Sequence, residues 1–397
     1  MKRQFKIETV SAISQVDAAS WNRLVTASSQ LPPFGGTGYG NPFMRHEFLA
    51  SLEESGSATA RTGWAPRHLL LRDEAGDLRG AAVLYQKSHS QGEYVFDHGW
   101  ADAFERAGGR YYPKLQCAAP FTPASGPRLL HDGRSDRETV QTALLSGMRQ
   151  TTDGLGVSSA HITFMTEPEW RLAGQAGFLL RTDRQFHWSN DGYSTFEDFL
   201  SRLSSRKRKN IRKERESALC GGTIQVEWLS GADLTEAIWD RFFEFYMDTG
   251  SRKWGRPYLN REFYSLVGKR MGERIVLMMA RRDGRLIAGA INFLGDDCLY
   301  GRHWGCIEDH PCLHFEVCYY QAIEYAILKG LARVEAGAQG EHKIARGYEP
   351  VITHSAHHIA HPGLRRAVDD YLEKEREHVA LEAEILAGHT PFRRNGN

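Results

Sequence analysis

The chain has 397 residues, of which 41% are hydrophobic and 25% charged, and a formal net charge of +1. That composition excludes a disordered or collagen-like chain, and the near-neutral balance leaves any nucleic-acid contact to a local patch. No stretch reaches the roughly 20 uninterrupted apolar residues of a membrane span, and no apolar segment follows the first cations, so a cytoplasmic location without a signal peptide is expected.

Phe5–Val10 reads as an opening strand and Val16–Thr26 as a short amphipathic helix. Gln30–Asn41 is rich in Gly and Pro but lacks the Lys-Ser/Thr of a phosphate-cradling loop, which makes it a connector. Pro42–Glu54 has helical spacing, and a first antiparallel meander is expected over 67–97. Pro120–Pro127 cannot be regular structure; its hydroxyls, Thr122 above all, are candidates to line a pocket. A helix over 135–151, a strand at Ala160–Met165, a helix at Pro168–Gln175 and a strand at Phe178–Trp188 follow. The length suits two domains, and the boundary is placed near Asn190, giving domains 1–190 and 191–397.

Thr195, with Asp198 three residues on, caps one long expected helix that ends at Gly221-Gly222. Within it Arg206, Lys207, Arg208, Lys209, Arg212, Lys213 and Arg215 stand in ten residues, a phosphate-binding face or a solvated one. A strand at Thr223–Leu229 and helices at Leu234–Met247 and Asn260–Arg270 come next. The apolar runs Ile275–Ala280, Ile287–Leu294 and Cys298–Trp304 are separated by Asp283-Gly284 and Gly295–Asp297, the pattern of a meander. His314–Lys329 reads as a helix closed by Gly330, then Leu331–Ala336 as a strand entering the loop Gly337–Gly340. Beyond Arg346 an extended stretch leads to a charged amphipathic helix, Leu364–Ala387.

The first half carries the same unit. At a constant offset of 208, Gly76 falls on Gly284, Leu78 on Leu286, Ala82 on Ala290 and Tyr85 on Phe293. After a different loop length, Val95-Phe96 falls on Leu299-Tyr300 and Trp100 on Trp304, so duplication of a whole domain is expected.

Acyl transfer to an amine needs a proton acceptor and donors for the developing oxyanion. Two polar sets can supply them: Arg302, His303, Trp304, Glu316 and Tyr319, and Gln339, Glu341, His342, Lys343 and Arg346. His303, Glu316, Glu341 and His342 are acceptable bases, and Lys343 and Arg346 acceptable donors. The six cysteines form no CxxC pair, so no metal is expected; GxSxG and GxGxxG motifs are absent.

The segments NPFMRHEFLASLEESG (41–56), GRYYPKLQCAAPFTPASGPRLL (109–130), RKRKNIRKER (206–215), GRHWG (301–305) and GAQGEHKIARGYEPVITHSAHHIAHP (337–362) resemble the FemAB-like N-acyltransferases, over nearly the whole chain. The resemblance implies an α/β (α+β) fold of tandem Gcn5-related N-acyltransferase-like domains, with mixed, mostly antiparallel sheets flanked by helices. It implies transfer of an aminoacyl group from aminoacyl-tRNA to an amine-type acceptor, a small molecule or peptide in cell-wall or secondary metabolism. The amine attacks the ester directly, with no cofactor and no covalent enzyme intermediate. Lys343 matches the assisting lysine after the last central strand, with His303 or Glu316 near the proton, and Arg302, Trp304, Tyr319, Gln339, Glu341, His342, Arg346 and Thr122 around the substrates. By the same resemblance Arg206, Lys207, Arg208, Lys209, Arg212 and Lys213 face tRNA, and no DNA partner is expected.

Two departures stand out. The segment before His314, CIEDHPCL, lacks the glycine turn that holds the coenzyme A pyrophosphate, which leaves acyl-CoA as the alternative donor. The coiled-coil arm of the Fem enzymes is not evident either. A non-catalytic RNA-binding protein on the same fold is the alternative from another class.

Overall fold

The computed structural model describes residues 5–29, 40–253, 257–337 and 340–393. It divides into two units, 1–183 with 352–381 and 184–351 with 382–397. A single cut near Asn190 therefore does not follow the packing, because the chain returns to the first unit after residue 351.

In the first unit the strands are β1 (Lys6–Val10), β2 (Trp64–Pro66), β3 (His68–Arg72), β4 (Leu78–Ala82), β5 (Leu84–Lys87), β6 (Lys114–Cys117), β7 (Leu130–His131) and β8 (Ser159–Met165). One sheet has the order β1-β3-β4-β7, and a second runs β8-β6-β5-β2. The last strand of the chain, Glu349–Ile359, pairs with β8 through His357↔His161 and Ile359↔Ser159, which explains the return. Beyond it, the helix Pro362–Ala387 seats Leu364, Val368 and Leu372 against Trp100, Tyr111 and Leu179. The core lies under the helix Arg137–Leu155, whose Val140, Leu144 and Met148 meet Leu69, Ala82 and Leu115.

Residue by residue, the constant offset holds for the hairpin only, although the order of antiparallel, parallel and antiparallel pairings that follows it recurs in the second unit. Gly76 (φ 85°) turns β3 into β4 as Gly284 (φ 78°) turns the matching pair, a conformation that suits glycine. Val95 and Phe96 are not in a strand, and Trp100 lies in a helix, His98–Arg106. The third strand is β6 instead. Fully buried Lys114 on β6 donates to Ser90 Oγ (2.8 Å), to Glu93 Oε2 (2.7 Å) and to Asp97. Ion pairing, rather than a strand ladder, holds residues 90–97.

In the second unit the strands are β9 (Leu179–Ser189, from residue 184 on), β10 (Ile224–Leu229), β11 (Ile275–Arg282), β12 (Arg285–Leu294), β13 (Cys298–Cys306) and β14 (Arg333–Glu335). Their order is β10-β11-β12-β13-β14-β9, antiparallel except at β13–β14. The strands read as continuous apolar runs because helices cover both faces. Val276, Met278 and Ala288 face Val317, Ile323 and Ile327, while the helix Glu236–Lys253 lies against β12 and β13. That second contact needs Gly305, where a Cβ would sit 2.0 Å from Phe245 O. Gly305→Ala is expected to cost at least about 2 kcal/mol, read as a lowered urea midpoint, because backbone must move to admit the methyl.

The expected helix from Thr195 is two helices, Phe196–Arg202 and Ser205–Ala218. Leu203 and Ser204 are extended; Leu203 bridges to Phe392, and Ser204 N–H donates to Pro391 O at 2.9 Å. Helical periodicity continues through this break, but burial of Leu203 and pairing with the chain's end prevail. No helix among the described residues is long and apolar enough to cross a membrane.

Candidate functional site

Two strands that start side by side and then part create the opening. The parallel ladder of β13 and β14 holds Cys298↔Arg333, Leu299↔Val334 and Tyr300↔Glu335 and stops there. From Gly301 onward, among the described residues, β13 has a strand only on its β12 side. A bulge coincides with the parting: Ile291 faces His303 but Asn292 faces Gly301, so Arg302 is the extra residue. Buried Asn292 steadies it by donating Nδ2–H to Val276 O at 3.2 Å.

Strand alternation then sends His303 and Trp304 to opposite faces. The His303 ring packs 5.0 Å from Tyr246 of the helix Glu236–Lys253. The residue keeps some exposed surface, yet crowding of its ring first, and the Arg302 charge second, push its pKa down to about 3. It is neutral at every physiological pH. Trp304 turns the other way, edge-on to His314 at 5.4 Å, and with Cys312 and Phe315 lines a cleft of about 450 Å³.

The helix after β13 begins at Leu313 and contains a π turn, Glu316–Tyr320, a distortion common at functional sites. His314, Phe315, Tyr319 and His342 form a ring cluster with every centroid pair between 5.4 and 6.4 Å apart. Tyr319 Oη and His342 Nε2 share a hydrogen bond of 2.9 Å, and burial raises the Tyr319 pKa, so the phenol stays protonated. His342 belongs to the short helix Glu341–Arg346, which also delivers Lys343. Lys343 is buried, and its Nζ donates to Gly337 O at 3.1 Å, just past the end of β14. Burial lowers its pKa to about 8. Arg346 lies 3.4 Å over the Phe315 ring and forks onto Glu214 at 2.9–3.1 Å.

Glu316 is not placed to act as a base. It is fully buried, accepts Arg215 Nη2–H at 2.8 Å and Nε–H at 3.0 Å, and takes Gln321 Nε2–H at 2.7 Å. Removing Arg215 would strand that carboxylate, so Arg215→Ala is expected to cost about 3–5 kcal/mol in urea unfolding. Arg212→Ala, which breaks only an exposed pair with Glu197, should stay within about 0.5 kcal/mol of the parent.

The remaining candidates scatter. Glu341 is exposed, 3.8 Å from Arg184, and Gln339 lies outside the described residues. Thr122 belongs to the first unit, where its buried hydroxyl donates to Pro120 O at 2.9 Å; buried Arg128 pins the same loop through Ala124 O and Thr163 O. That loop is a tied turn, with its hydroxyl used internally. Arg206, Lys209, Arg212 and Lys213 are exposed on the helix Ser205–Ala218, with Lys207 and Arg208 half-buried. Among the described residues only Arg212 of these six has an acidic partner. No group of three or more His, Cys, Asp or Glu is placed to hold a metal ion among the described residues.

Glu214 and Arg215, overlooked as parts of a charged run, tie that helix to Arg346 and Glu316. The available signal is spacing: Ile211 and Ala218 are its buried positions, and 214 and 215 lie between them on the inward face. His314 and Phe315 were overlooked too, because nothing local separates a cleft ring from a core ring.

A family profile named FemAB-like, described as peptidoglycan biosynthesis/recognition, matches residues 12–394. Among solved structures the chain is similar to FemX, at 12% identity and a TM-score of 0.54, covering 89% of this chain and 98% of that one. It is similar to the C-terminal domain of a protein assigned as a lysylphosphatidylglycerol synthetase in Agrobacterium fabrum (9% identity, TM-score 0.53, 89% and 96% covered). A conserved protein of Bacteroides thetaiotaomicron gives 9% identity and a TM-score of 0.52, with 89% and 99% covered. At these identities the likeness is one of fold. No curated protein matches the chain.

Proposed function

The chain belongs to the FemAB-like family, with a tandem Gcn5-related acyltransferase fold, and from that premise we propose that it moves an aminoacyl group from aminoacyl-tRNA to an amine of a peptidoglycan precursor. Acyltransferase activity follows from the family. The choice of donor rests on one observation: a cationic helix face on which, among the described residues, Arg206, Lys207, Arg208, Lys209 and Lys213 have no acidic partner, on the same unit as the opening beside Lys343. Polyanions bind such faces by releasing counterions.

In this reading the acceptor amine enters the cleft and attacks the ester carbonyl directly. Charge building on the carbonyl oxygen is met by the Lys343 ammonium at the parting of β13 and β14. His342, in its hydrogen bond with Tyr319, takes the amine proton and returns it to the departing ribose oxygen, so that the tRNA leaves with a free hydroxyl. His303 takes no proton in this scheme: crowding, with its pKa pushed down to about 3, makes its ring a weak base, and the ring packs against Tyr246. Glu308 and Asp309 line the cleft where a pyrophosphate would otherwise lie, which disfavours acyl-CoA.

The test is a transfer assay with pooled radiolabelled aminoacyl-tRNAs and amine-bearing peptidoglycan precursors, with and without ribonuclease. Ribonuclease-sensitive, protein-dependent movement of label to the precursor is expected. Consumption of acyl-CoA with no transfer from tRNA would overturn the donor assignment.

A further inference from the structure

One constellation in the second unit is not used by that reaction. Cys220 Sγ lies 3.6 Å from Ser217 O and 3.9 Å from His310 Nδ1, and His310 Nε2 lies 3.0 Å from Glu308 Oε2. The same Glu308 oxygen also meets Arg282 Nη2 at 2.9 Å. His310 and Glu308 line the cleft that Trp304 and His314 also line. A carboxylate that takes the Nε2 proton fixes the imidazole tautomer and aims the Nδ1 lone pair at the thiol.

The backbone at the same residue is strained, as it is at Cys312 (φ 62°). Cys220 has φ 46°, followed by Gly221 at 64° and Gly222 at 97°. Two glycines take such angles freely, but a cysteine does not, and residues held in strained conformations cluster at functional sites. The turn presents the thiol at the exposed end of the helix Ser205–Ala218. By contrast Cys117 and Cys298 are fully buried, and burial raises both their thiols above the ordinary range. Sequence reasoning finds no nucleophile motif because the thiol and its imidazole are 90 residues apart.

We propose that Cys220 is a second acyl-accepting site, a thiol activated by His310 and positioned through Glu308, that takes an acyl group from an activated ester. The Cys220 S–H proton passes to His310 Nδ1 as sulfur bonds to the ester carbonyl carbon. The tetrahedral centre collapses with cleavage of the carbon–oxygen bond, and the departing oxygen recovers the proton from Nδ1. The products are a Cys220 thioester and a free alcohol. That the natural electrophile is an acyl ester rests on the reading of the cleft given above; the activation of the thiol does not.

The probe is p-nitrophenyl acetate at pH 7, with released nitrophenolate followed by absorbance and the acetylated peptide mapped by mass spectrometry. An ordinary thiol of pKa about 8.5 is only about 3% ionised there, so full activation raises its rate about 30-fold. One rapid equivalent of nitrophenolate and a hydroxylamine-labile acetyl on Cys220 are expected. The burst should vanish in Cys220→Ala and slow at least about ten-fold in His310→Ala, with added imidazole restoring part of it. Glu308→Ala should slow it as well, whereas Glu308→Gln, whose amide oxygen still accepts the imidazole N–H, should keep most of the rate. A burst that survives Cys220→Ala, or a Cys220 rate unchanged in His310→Ala, overturns the proposal. Because the probe needs neither tRNA nor an amine, failure here is distinct from failure of the transfer assay.

Discussion

Lys343→Met is expected to lower kcat for acyl transfer about 10²- to 10³-fold while making the protein more stable at pH 7. Both effects come from one buried ammonium. Its acceptor among the described residues is Gly337 O, which leaves donors for an incoming carbonyl oxygen. Burial holds its pKa at about 8 against an ordinary 10.5. Between these values the unfolded chain binds the proton and the folded chain does not, so stability rises with pH across that window. Below about pH 8 both states are charged, and the folded state carries the whole burial penalty, up to about 3 kcal/mol at 1.36 kcal/mol per unit. Methionine removes the penalty, so the gain should be largest at pH 7 and shrink to about 1 kcal/mol at pH 10. Turnover of the parent should fall as pH rises through about 8, because the ammonium is the form that meets the oxyanion. Urea unfolding at the two pH values and a kcat profile from pH 6 to 10 test both halves. Turnover within about threefold of the parent would remove Lys343 from the reaction, and destabilisation at pH 7 would overturn the burial penalty.

What sequence conveys here is mostly local. The meander β11–β13 is legible because Asp283-Gly284 admits positive φ between apolar runs, and no distant residue is needed to place it. The opposite case is Arg215. It looks like the end of a charged run, yet its partner Glu316 is 101 residues away, and that pairing takes Glu316 out of use as a base. Glu214 finds Arg346 at a separation of 132. Leu203 leaves the helix for Phe392, a choice that no window of nearby residues contains. His303 and Trp304 are different again: a period of two already separates their faces, but adjacency in sequence made them look like one cluster.

The second large effect concerns the cationic helix. Arg206, Lys209 and Lys213 follow helical spacing along one exposed face. Replacing all three with Ala is expected to weaken aminoacyl-tRNA binding about 10²-fold at low salt and to flatten the slope of log K against log salt by about 2–3, at 0.7–0.9 per phosphate. The unfolding midpoint should hardly move, because surface changes away from packed contacts stay within about 0.5 kcal/mol. Arg212→Ala supplies the internal control, since Glu197 already neutralises that guanidinium and its loss should change the slope least. Filter binding across a salt series reads all of this, and a triple variant with the parent's slope would remove this face from tRNA recognition. The stakes reach the cleft. The inward face of the same helix grips Glu316 through Arg215 and Arg346 through Glu214, and Arg346 in turn lies over Phe315 beside the Tyr319–His342 pair. On the proposed reading, a polyanion docked on the outer face would be linked, through this one helix, to the ring cluster beside the cleft.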